Sequence, residues 1–179
     1  MIILAFILAL AVPVNAAEAV VYVKDGGTGN GGSPSFPVGT LEAAYARVLE
    51  ISEIKNDPNA EAVIVICGTV SVFDHFNYNG KLTHKGKLTY TSVYGEDFRA
   101  TSDARLVVSA PSKSALSVND EHRFVLGGPT RFEALTIERG AESAGSLTIY
   151  ATTELYIAEN IEVVNTNWAR SYIEPVIGL

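Results

Sequence analysis

The chain is poor in cysteine, and Cys67 is its single copy in 179 residues. A lone cysteine excludes a disulfide within the chain and a metal site built from a cysteine cluster. The fold must therefore rely on packing rather than on covalent bridges. Because Cys67 ends the apolar run at 62–67, we expect an inert core thiol rather than a nucleophile.

Basic residues are also scarce. The chain has 13 Lys and Arg against 20 Asp and Glu, a net charge of −7. An acidic surface disfavours nucleic acid and anionic membranes as partners, so we predict no nucleic-acid partner. With 47% hydrophobic and 18% charged residues the composition is globular, and the length suits one domain or part of a larger one.

No apolar run is long enough to predict a membrane span. The longest, residues 1–14, is MIILAFILALAVPV, and small residues follow it at 15–19. A span needs about 20 apolar residues, so this pattern predicts a secretory signal peptide over residues 1–19, removed after Ala16 or Ala19. Because no Lys or Arg precedes the run, it could also be the truncated remnant of such a peptide. A buried N-terminal helix or an uncleaved anchor is the alternative.

Helical periodicity is missing after residue 72. It occurs once, at residues 40–55, where Thr40 is a plausible N-cap and the apolar positions recur at spacings of three and four: Leu41, Ala44, Tyr45, Val48 and Ile51. A strand precedes this helix and another follows it, which would suit the first βαβ unit of a doubly wound fold. The lack of later helices argues against that fold.

What the chain does have is a series of short strands. The most apolar stretch, EAVIVICGTVSV at 61–72, predicts a strand buried on both faces, a Gly68-Thr69 corner and a second short strand. Further strands are predicted at 19–24, 87–92, 104–109, 123–126, 131–138, 146–150, 155–158 and 160–164.

A faint repeat relates two of these strands. Residues 132–137 align with residues 158–163 at an offset of 26, so that Phe132 matches Ala158, Leu135 matches Ile161 and Ile137 matches Val163. The intervening corners lack the Asn-Gly and Asp-Gly turns that antiparallel hairpins prefer. A period in the twenties is typical of one coil of a parallel β-helix, whose open end the helix at 40–55 would cover.

Four stretches carry a resemblance to a known family: VYVKDGGTGNGGSPSFPVGTLEAAYARV at 21–48, AVIVICGTVSV at 62–72, LTYTSVYGEDFR at 88–99 and RFVLGGPTRFEALTIE at 123–138. With them the sequence resembles the N-terminal part of right-handed parallel β-helix proteins of the pectate-lyase-like (pectin-lyase-fold) superfamily, notably large cell-surface members from gut bacteria. The resemblance covers about residues 20–166. These motifs are architectural and do not specify an activity.

The expected fold is therefore all-β, a right-handed parallel β-helix (solenoid) with an N-terminal capping α-helix. The expected organisation is a signal peptide at 1–19, a cap of strand, Gly-rich loop and helix at 20–61, and incomplete β-helix coils at 62–179. Because the last residues, SYIEPVIGL at 171–179, offer no capping segment, we expect the β-helix to continue beyond them or a partner to cover that end.

Candidate catalytic residues are few, and we assign none. Glu133 and Glu159 fall one coil apart in the repeat and are expected to form a carboxylate ladder about 5 Å apart, which is more often a solvated feature than a catalytic pair. Family members that cleave polyuronates use clustered Asp with Ca²⁺ and an Arg base, or neighbouring Asp residues for hydrolysis. Asp74 and His75, in FDHF at 73–76, are similar to an aromatic-x-Asp-His strand of pectate lyases, but no Arg-x-Pro-x-x-Arg motif follows, which favours a solvated loop.

Cofactor and metal sites are not predicted either. Gly27, Gly29 and Gly32 match a dinucleotide fingerprint only formally, because Pro34 and Pro37 separate them from the helix, so a surface loop is expected. Asp25 and Asn30 offer too few carboxylates for Ca²⁺. His75, His84 and His122 lack metal-ligand spacing.

Two charged groups and a set of aromatic residues complete the candidates. We expect a surface salt-bridge patch from Asp97, Arg99, Asp103 and Arg105, and a charged turn from residues 120–123 (Asp-Glu-His-Arg). A sugar-stacking platform could come from some of the following, although most are expected in the core: Tyr78, Tyr90, Tyr94, Phe98, Tyr150, Tyr156 and Trp168.

The expected function is that of an exported, secreted or cell-surface β-helix segment with a structural or glycan-binding role and no complete catalytic site. The expected partner is a polysaccharide or a cell-surface glycan, with no membrane span and no cofactor. The first alternative is the N-terminal part of a polysaccharide lyase or glycoside hydrolase whose catalytic coils lie beyond residue 179. The second is an adhesin-like surface protein that binds a host protein.

Overall fold

A computed structural model of the chain describes residues 18–73, 83–95, 98–99, 104–109, 122–140, 147–151, 155–157, 161–164 and 172–175. Within these residues the chain forms one α-helix, one 3₁₀ turn (Glu53–Lys55) and many short strands. The helix is α1 (Leu41–Ile51). The strands are β1 (Ala19–Val23), β2 (Glu61–Ile66), β3 (Thr69–Phe73), β4 (Lys87–Thr91), β5 (Val93–Tyr94), β6 (Phe98–Arg99), β7 (Arg105–Ser109), β8 (His122–Leu126), β9 (Thr130–Glu133), β10 (Leu135–Arg139), β11 (Leu147–Ala151), β12 (Leu155–Ile157), β13 (Ile161–Val164) and β14 (Tyr172–Pro175).

The strands form three parallel sheets and one small antiparallel pair. The first sheet has the order β1-β2-β4-β9-β12, the second β13-β10-β7-β3 and the third β14-β11-β8, and β5 pairs with β6 antiparallel. From β4 onward, apart from the β5–β6 pair, the chain visits the first, second and third sheets in turn and then returns to the first. The protein is thus built mostly from strands in parallel sheets, with a single helix in its described part. The β-helix itself stays a prediction.

The strand registers test the repeat. Leu135 pairs with Ile161 and Ile137 with Val163, which confirms the predicted alignment of these two strands. Phe132, however, pairs with Ile157 and not with Ala158, so that half of the alignment was wrong by one residue. The reason is that two residues separate Phe132 from Leu135, whereas three separate Ile157 from Ile161.

A one-residue corner explains another wrong prediction. The single strand predicted at 131–138 is two strands, β9 and β10, which belong to different sheets and meet at Ala134. Ala134 has a φ of 47°, a left-handed conformation that costs a residue with a Cβ about 1–2 kcal/mol. The Ser92 hydroxyl and the Ser92 N–H both donate to the Ala134 carbonyl, which stabilises the corner. The alternating pattern continues through so short a corner, so periodicity alone does not reveal it.

The helix begins as predicted but ends earlier. Thr40 caps it, because its hydroxyl oxygen accepts a hydrogen bond from the Ala43 N–H at 3.1 Å. It ends at Ser52, whose backbone is extended; the Ser52 N–H donates to the Val48 carbonyl at 3.0 Å, and the Ser52 hydroxyl donates to the same carbonyl at 2.6 Å. The 3₁₀ turn then buries Ile54, while Ile51, predicted on the apolar face, is 44% exposed.

The helix packs against the strands at which two sheets begin. It contacts β1 and β2 of the first sheet and β3 of the second. β1 and β3 are edge strands of their sheets. The same core contains residues of these strands and four buried residues of the helix: Leu41, Ala44, Tyr45 and Val48. The helix also lies on the connection between the parallel strands β1 and β2, as the helix of a βαβ unit does. No helix in the described ranges has both the length and the apolar character to cross a membrane.

The core lies between the sheets and is filled from alternate strand positions. β2 is buried along its whole length from Ala62 to Ile66, which confirms the prediction that both of its faces are covered. One face contributes Ala62, Ile64 and Ile66 to the core, and the other places Val63 and Val65 under the β5–β6 hairpin, whose first strand contacts β2. At the centre, the Tyr90 and Phe132 rings stack at 5.4 Å, and Phe124 lies 5.9 Å from each.

Candidate functional site

The outer face of the first sheet carries a groove of about 310 Å³. Its floor is formed by neighbouring parallel strands, where Val63 of β2 pairs with Thr89 of β4 and Thr89 pairs with Arg131 of β9. The β5–β6 hairpin contributes a wall through Val93, Tyr94 and Gly95. The side chains on the floor come from alternate strand positions, because the intervening positions, such as Leu88 and Tyr90, point into the core.

Charged side chains line the groove in opposite-sign pairs. Lys87 forms an ion pair with Glu61, its direct cross-strand neighbour. The Arg131 Nε donates to Glu133 Oε2 at 2.6 Å along the same strand. The third carboxylate, Glu18, precedes β1. Burial raises the pKa of Glu18, and the nearby negative charges of Glu61 and Glu133 raise it further against the opposing effect of Lys87.

A second, smaller depression of about 180 Å³ shares Lys87 and Arg131 with the groove. The Arg131 guanidinium lies 4.2 Å from the centre of the Tyr156 ring, within the range of a cation–π contact. Tyr156 itself is 55% exposed. Arg131 covers part of the Tyr156 ring, and the exposed remainder of the ring is a surface on which a flat apolar face of a ligand can stack.

Two threonines on the floor differ in their hydrogen bonding. The Thr91 hydroxyl donates to the Val93 carbonyl at 3.0 Å, which fixes the start of the hairpin. Thr89 is only 8% exposed, and its hydroxyl has no hydrogen-bond partner among the described residues. Buried hydroxyls are normally paired, so an unpaired one that lines a groove is a position for a ligand hydroxyl or a water molecule.

Contacts between aromatic rings hold the wall of the groove in position. Tyr22, on β1, meets the Tyr94 ring edge-on at 6.5 Å and the Phe98 ring at 5.6 Å. These contacts hold the β5–β6 hairpin against the outer face of the first sheet. Tyr94 and Phe98, predicted as stacking or core residues, therefore serve mainly to position the wall. The two strands of the hairpin are two residues each, too short for any periodic signal in the sequence.

The sequence pointed to two members of this groove, Glu133 and Tyr94, and missed the rest. Glu133 lines it, but its ion partner is Arg131 and its cross-strand neighbour is Thr91. Glu159, the expected second member of a carboxylate ladder, lies outside the described residues. The repeat could have found the Glu61–Lys87 pair, because these two residues are also 26 positions apart.

Other predicted charged groups are placed only in part. Arg105 donates to Glu138 on the neighbouring strand at 2.9 Å, so this partner comes from across the second sheet and not from the predicted turn. His122 and Arg123 belong to β8, so the predicted charged turn at 120–123 was wrong for these two residues. Asp74, His75, Asp97, Asp103, Asp120 and Glu121 lie outside the described residues.

The remaining aromatic candidates divide between the core and the surface. Tyr90 is buried in the central stack, as most of them were expected to be, whereas Tyr156 is exposed beside the groove. Tyr150 belongs to β11. Tyr78 and Trp168 lie outside the described residues.

The amides of the Gly-rich loop form hydrogen bonds with nearby backbone carbonyls. Gly27, Gly29 and Gly31 donate their N–H groups to the carbonyls of Lys24, Pro37 and Phe36, so these amides are not directed at a phosphate. A Cβ on Gly29 would lie 2.2 Å from the Phe36 carbonyl oxygen, which explains why a glycine is required there. The close backbone approach therefore accounts for a glycine in this loop without a bound phosphate, in keeping with the surface loop that the sequence predicts.

The two polar residues weighed for Ca²⁺ have structural partners. Asp25 accepts hydrogen bonds from the Ser71 N–H at 2.9 Å and from the Ser71 hydroxyl at 2.7 Å, which ties the loop to β3. Asn30 accepts from the Gly32 N–H at 3.0 Å. Across the described residues, no group of three or more His, Cys, Asp or Glu is arranged to hold a metal ion.

His84 is a buried link between three segments. Its Nδ1 contacts the Tyr45 hydroxyl of α1, and its Nε2 lies 3.1 Å from the Pro129 carbonyl oxygen. Because a carbonyl can only accept, Nε2 carries the proton and Nδ1 accepts from Tyr45. Burial lowers the pKa of His84, an effect only partly offset by the hydrogen bond to Pro129. This role is structural, and His75 lies outside the described residues.

Cys67 follows β2 instead of ending it, and it is only partly buried, so the expected core position was wrong. Its Sγ lies 3.6 Å from the Val65 carbonyl oxygen. Burial raises the pKa of the Cys67 thiol from 9.0 to about 11, against smaller opposing effects of the Val23 hydrogen bond and Lys24. A thiol with this pKa is almost wholly protonated at neutral pH.

We therefore expect Cys67 to react slowly with iodoacetamide at neutral pH and faster as the pH approaches 11. The measurement is the alkylation rate by mass spectrometry over a pH series, with a small free thiol as the control. A rate for Cys67 equal to that of the free thiol at neutral pH would contradict the raised pKa.

Comparison of the chain with protein-family models, with curated proteins and with solved structures found no match in any of the three.

Proposed function

We propose that the three parallel sheets are the faces of a right-handed parallel β-helix and that α1 is its N-terminal lid. The order in which the strands join the sheets supports this, because from β4 onward each pass of the chain adds one strand to every face. The right hand is the one that crossovers between parallel strands adopt almost without exception. The contacts of α1 with the first strands of two sheets support its role as a lid.

On this scaffold, we propose that the chain is an exported segment that binds a glycan in the groove on the outer face of the first sheet. The observation that carries the proposal is the groove lining, which combines carboxylates, cations, an unpaired threonine hydroxyl and a nearby exposed tyrosine. Sugars present hydroxyls that donate and accept hydrogen bonds, and their apolar ring faces stack on aromatic rings. The groove follows a row of parallel strands, which suits an extended chain of sugar units.

The experiment is a binding screen of the exported chain against oligosaccharides of neutral, acidic and basic character. Tyr156→Ala removes the exposed ring and is expected to weaken binding about tenfold, the loss of one stacking contact. Phe36→Ala is the matched control, since Phe36 is an exposed aromatic in the Gly-rich loop, away from the groove. Absence of binding to every glycan class, or equal loss in both variants, would refute the proposal.

One observation favours a second candidate, hydrolysis or lysis of the bound glycan. Glu18 has a raised pKa and shares the groove with Glu61 and Glu133, and a carboxyl group whose pKa lies above its ordinary value is a candidate general acid. The test is to incubate the chain with uronate and neutral polysaccharides, with and without Ca²⁺, and to measure new reducing ends and unsaturated products. Product formation that Glu18→Gln abolishes would establish this candidate, and its absence would leave binding alone.

The proposed export leads to a prediction of where the signal peptide is cleaved. Removal of a signal peptide after Ala19 would delete Glu18 from the groove and Ala19 from β1, where Ala19 pairs with Ala62. We therefore expect cleavage after Ala16, so that the mature chain begins at Ala17. N-terminal sequencing of the secreted protein gives the result directly. A first residue at Val20 would contradict it, and a chain that keeps residue 1 would refute the signal peptide.

A further inference from the structure

The charge of the groove indicates what kind of glycan it accepts, an inference that rests on the glycan-binding function proposed above. Three carboxylates line the groove, from Glu18, Glu61 and Glu133, together with two cations, Lys87 and Arg131. Both cations already contact a carboxylate, Glu61 and Glu133 respectively. The described lining therefore carries one carboxylate in excess, at Glu18.

We propose that the groove binds a glycan with free amino groups, a hexosamine polymer that is wholly or partly de-N-acetylated. A protonated sugar amine lies beside Glu18, and a sugar hydroxyl is hydrogen-bonded to the Thr89 hydroxyl. The ligand thus supplies the positive charge and the hydrogen-bond partner that the groove lacks among its described residues.

The charges of the groove favour this amine-bearing ligand over a polyuronate. The carboxylate of a uronate unit would have to displace Glu61 or Glu133 from a cation, or lie beside Glu18 without a counter-ion. Either arrangement costs free energy, because a partly desolvated like-charge contact is unfavourable. An amine encounters the opposite situation, since it gains a charge-assisted hydrogen bond and breaks no existing ion pair.

The floor of the groove supplies a second, independent observation. Thr89 is more than nine-tenths buried, lines the groove and has an unpaired hydroxyl within the described part of the chain. It is flanked across the strands by Val63 and Arg131. A sugar hydroxyl that reaches this position pairs with the threonine and leaves the Arg131–Glu133 contact intact.

The test measures calorimetric affinities for three oligomers of equal length at neutral pH: glucosamine, N-acetylglucosamine and galacturonate. The amine-bearing oligomer is expected to bind about tenfold more tightly than its acetylated counterpart, the gain of one charge-assisted hydrogen bond. Glu18→Gln is expected to abolish that difference between the two hexosamine oligomers. Glu42→Gln, which removes an exposed carboxylate on α1 outside the groove, is the matched control.

Thr89→Val is isosteric and is expected to weaken both hexosamine oligomers about fivefold, the loss of one neutral hydrogen bond. An unchanged amine preference in Glu18→Gln, or tightest binding to galacturonate, would overturn the inference while glycan binding itself would stand. Failure of all three oligomers to bind would overturn this inference, and failure of the wider glycan screen would refute the proposed function as well.

Discussion

Replacing Phe132 with alanine is expected to lower the free energy of unfolding by about 3–5 kcal/mol. The Phe132 side chain is fully buried, stacks on Tyr90 at 5.4 Å and lies 5.9 Å from Phe124. These residues come from the first and third sheets, so the ring joins the two sheets across the core. The loss combines the transfer free energy of a phenyl group with the cost of a cavity that short, hydrogen-bonded strands cannot close.

The measurement is urea unfolding followed by circular dichroism. Phe36→Ala is the control, because Phe36 is 65% exposed and its removal is expected to change the free energy of unfolding by less than about 0.5 kcal/mol. Equal effects of the two substitutions would mean that the aromatic stack does not hold the sheets together. A changed denaturant slope in Phe132→Ala would show that the substitution also alters the compactness of the native or unfolded state or the one-step character of unfolding.

Replacing His84 with alanine is expected to cost about 2–4 kcal/mol at neutral pH. The substitution leaves the Tyr45 hydroxyl and the Pro129 carbonyl without the ring nitrogens that they now contact, and it opens a cavity between α1 and the strands. Tyr45→Phe is the matched variant, because it removes the hydroxyl from the same contact while it keeps the ring. It is expected to cost about 1 kcal/mol, the worth of one hydrogen bond.

The same histidine makes stability depend on pH in a defined direction. Burial lowers the pKa of His84 below its ordinary value of 6.5, so the folded protein holds the neutral ring. As the pH falls below 6.5, the unfolded chain takes up a proton that the folded chain does not. The contribution of His84 to stability is therefore complete above 6.5 and decreases as the pH falls from there towards the folded pKa.

The decrease can reach about 1.4 kcal/mol per pH unit, the effect of one proton. The measurement is the free energy of unfolding of the native protein and of His84→Ala over a pH series from neutral to acidic. The difference between the two proteins is expected to shrink as the pH falls, since other ionisable groups contribute equally to both. A difference that is constant over the series would contradict a lowered pKa for His84.

Periodicity predicted the strands well where each was bounded by a clear break. β2, β3, β4 and β7 lie within one or two residues of their predicted positions, because an apolar run or strict alternation ends there at a glycine or a polar residue. The corner at Ala134 and the β5–β6 hairpin were missed for the same physical reason. The corner is one residue and each hairpin strand is two, so neither contains more than one period of the alternation on which the prediction relies.

The groove was less predictable than the strands that form it. Glu61, Lys87 and Arg131 are ordinary surface residues in the sequence, and only strand pairing makes neighbours of Glu61 and Lys87. Thr89 and Thr91 look equivalent, yet the start of the hairpin satisfies one hydroxyl and leaves the other unpaired in the described part of the chain. A site assembled from cross-strand neighbours depends on register, and one residue of error moves every side chain to the other face.

By itself the sequence determined local features: the Thr40 cap at which the helix begins, the doubly buried strand β2 and the surface loop rich in glycine. These follow from short-range chemistry, namely capping, periodicity and the backbone freedom of glycine. The tertiary structure alone decided which side chains share the groove and which aromatic rings meet in the core. Those contacts join residues that are distant in the chain, and their geometry is set by how all the strands pack together.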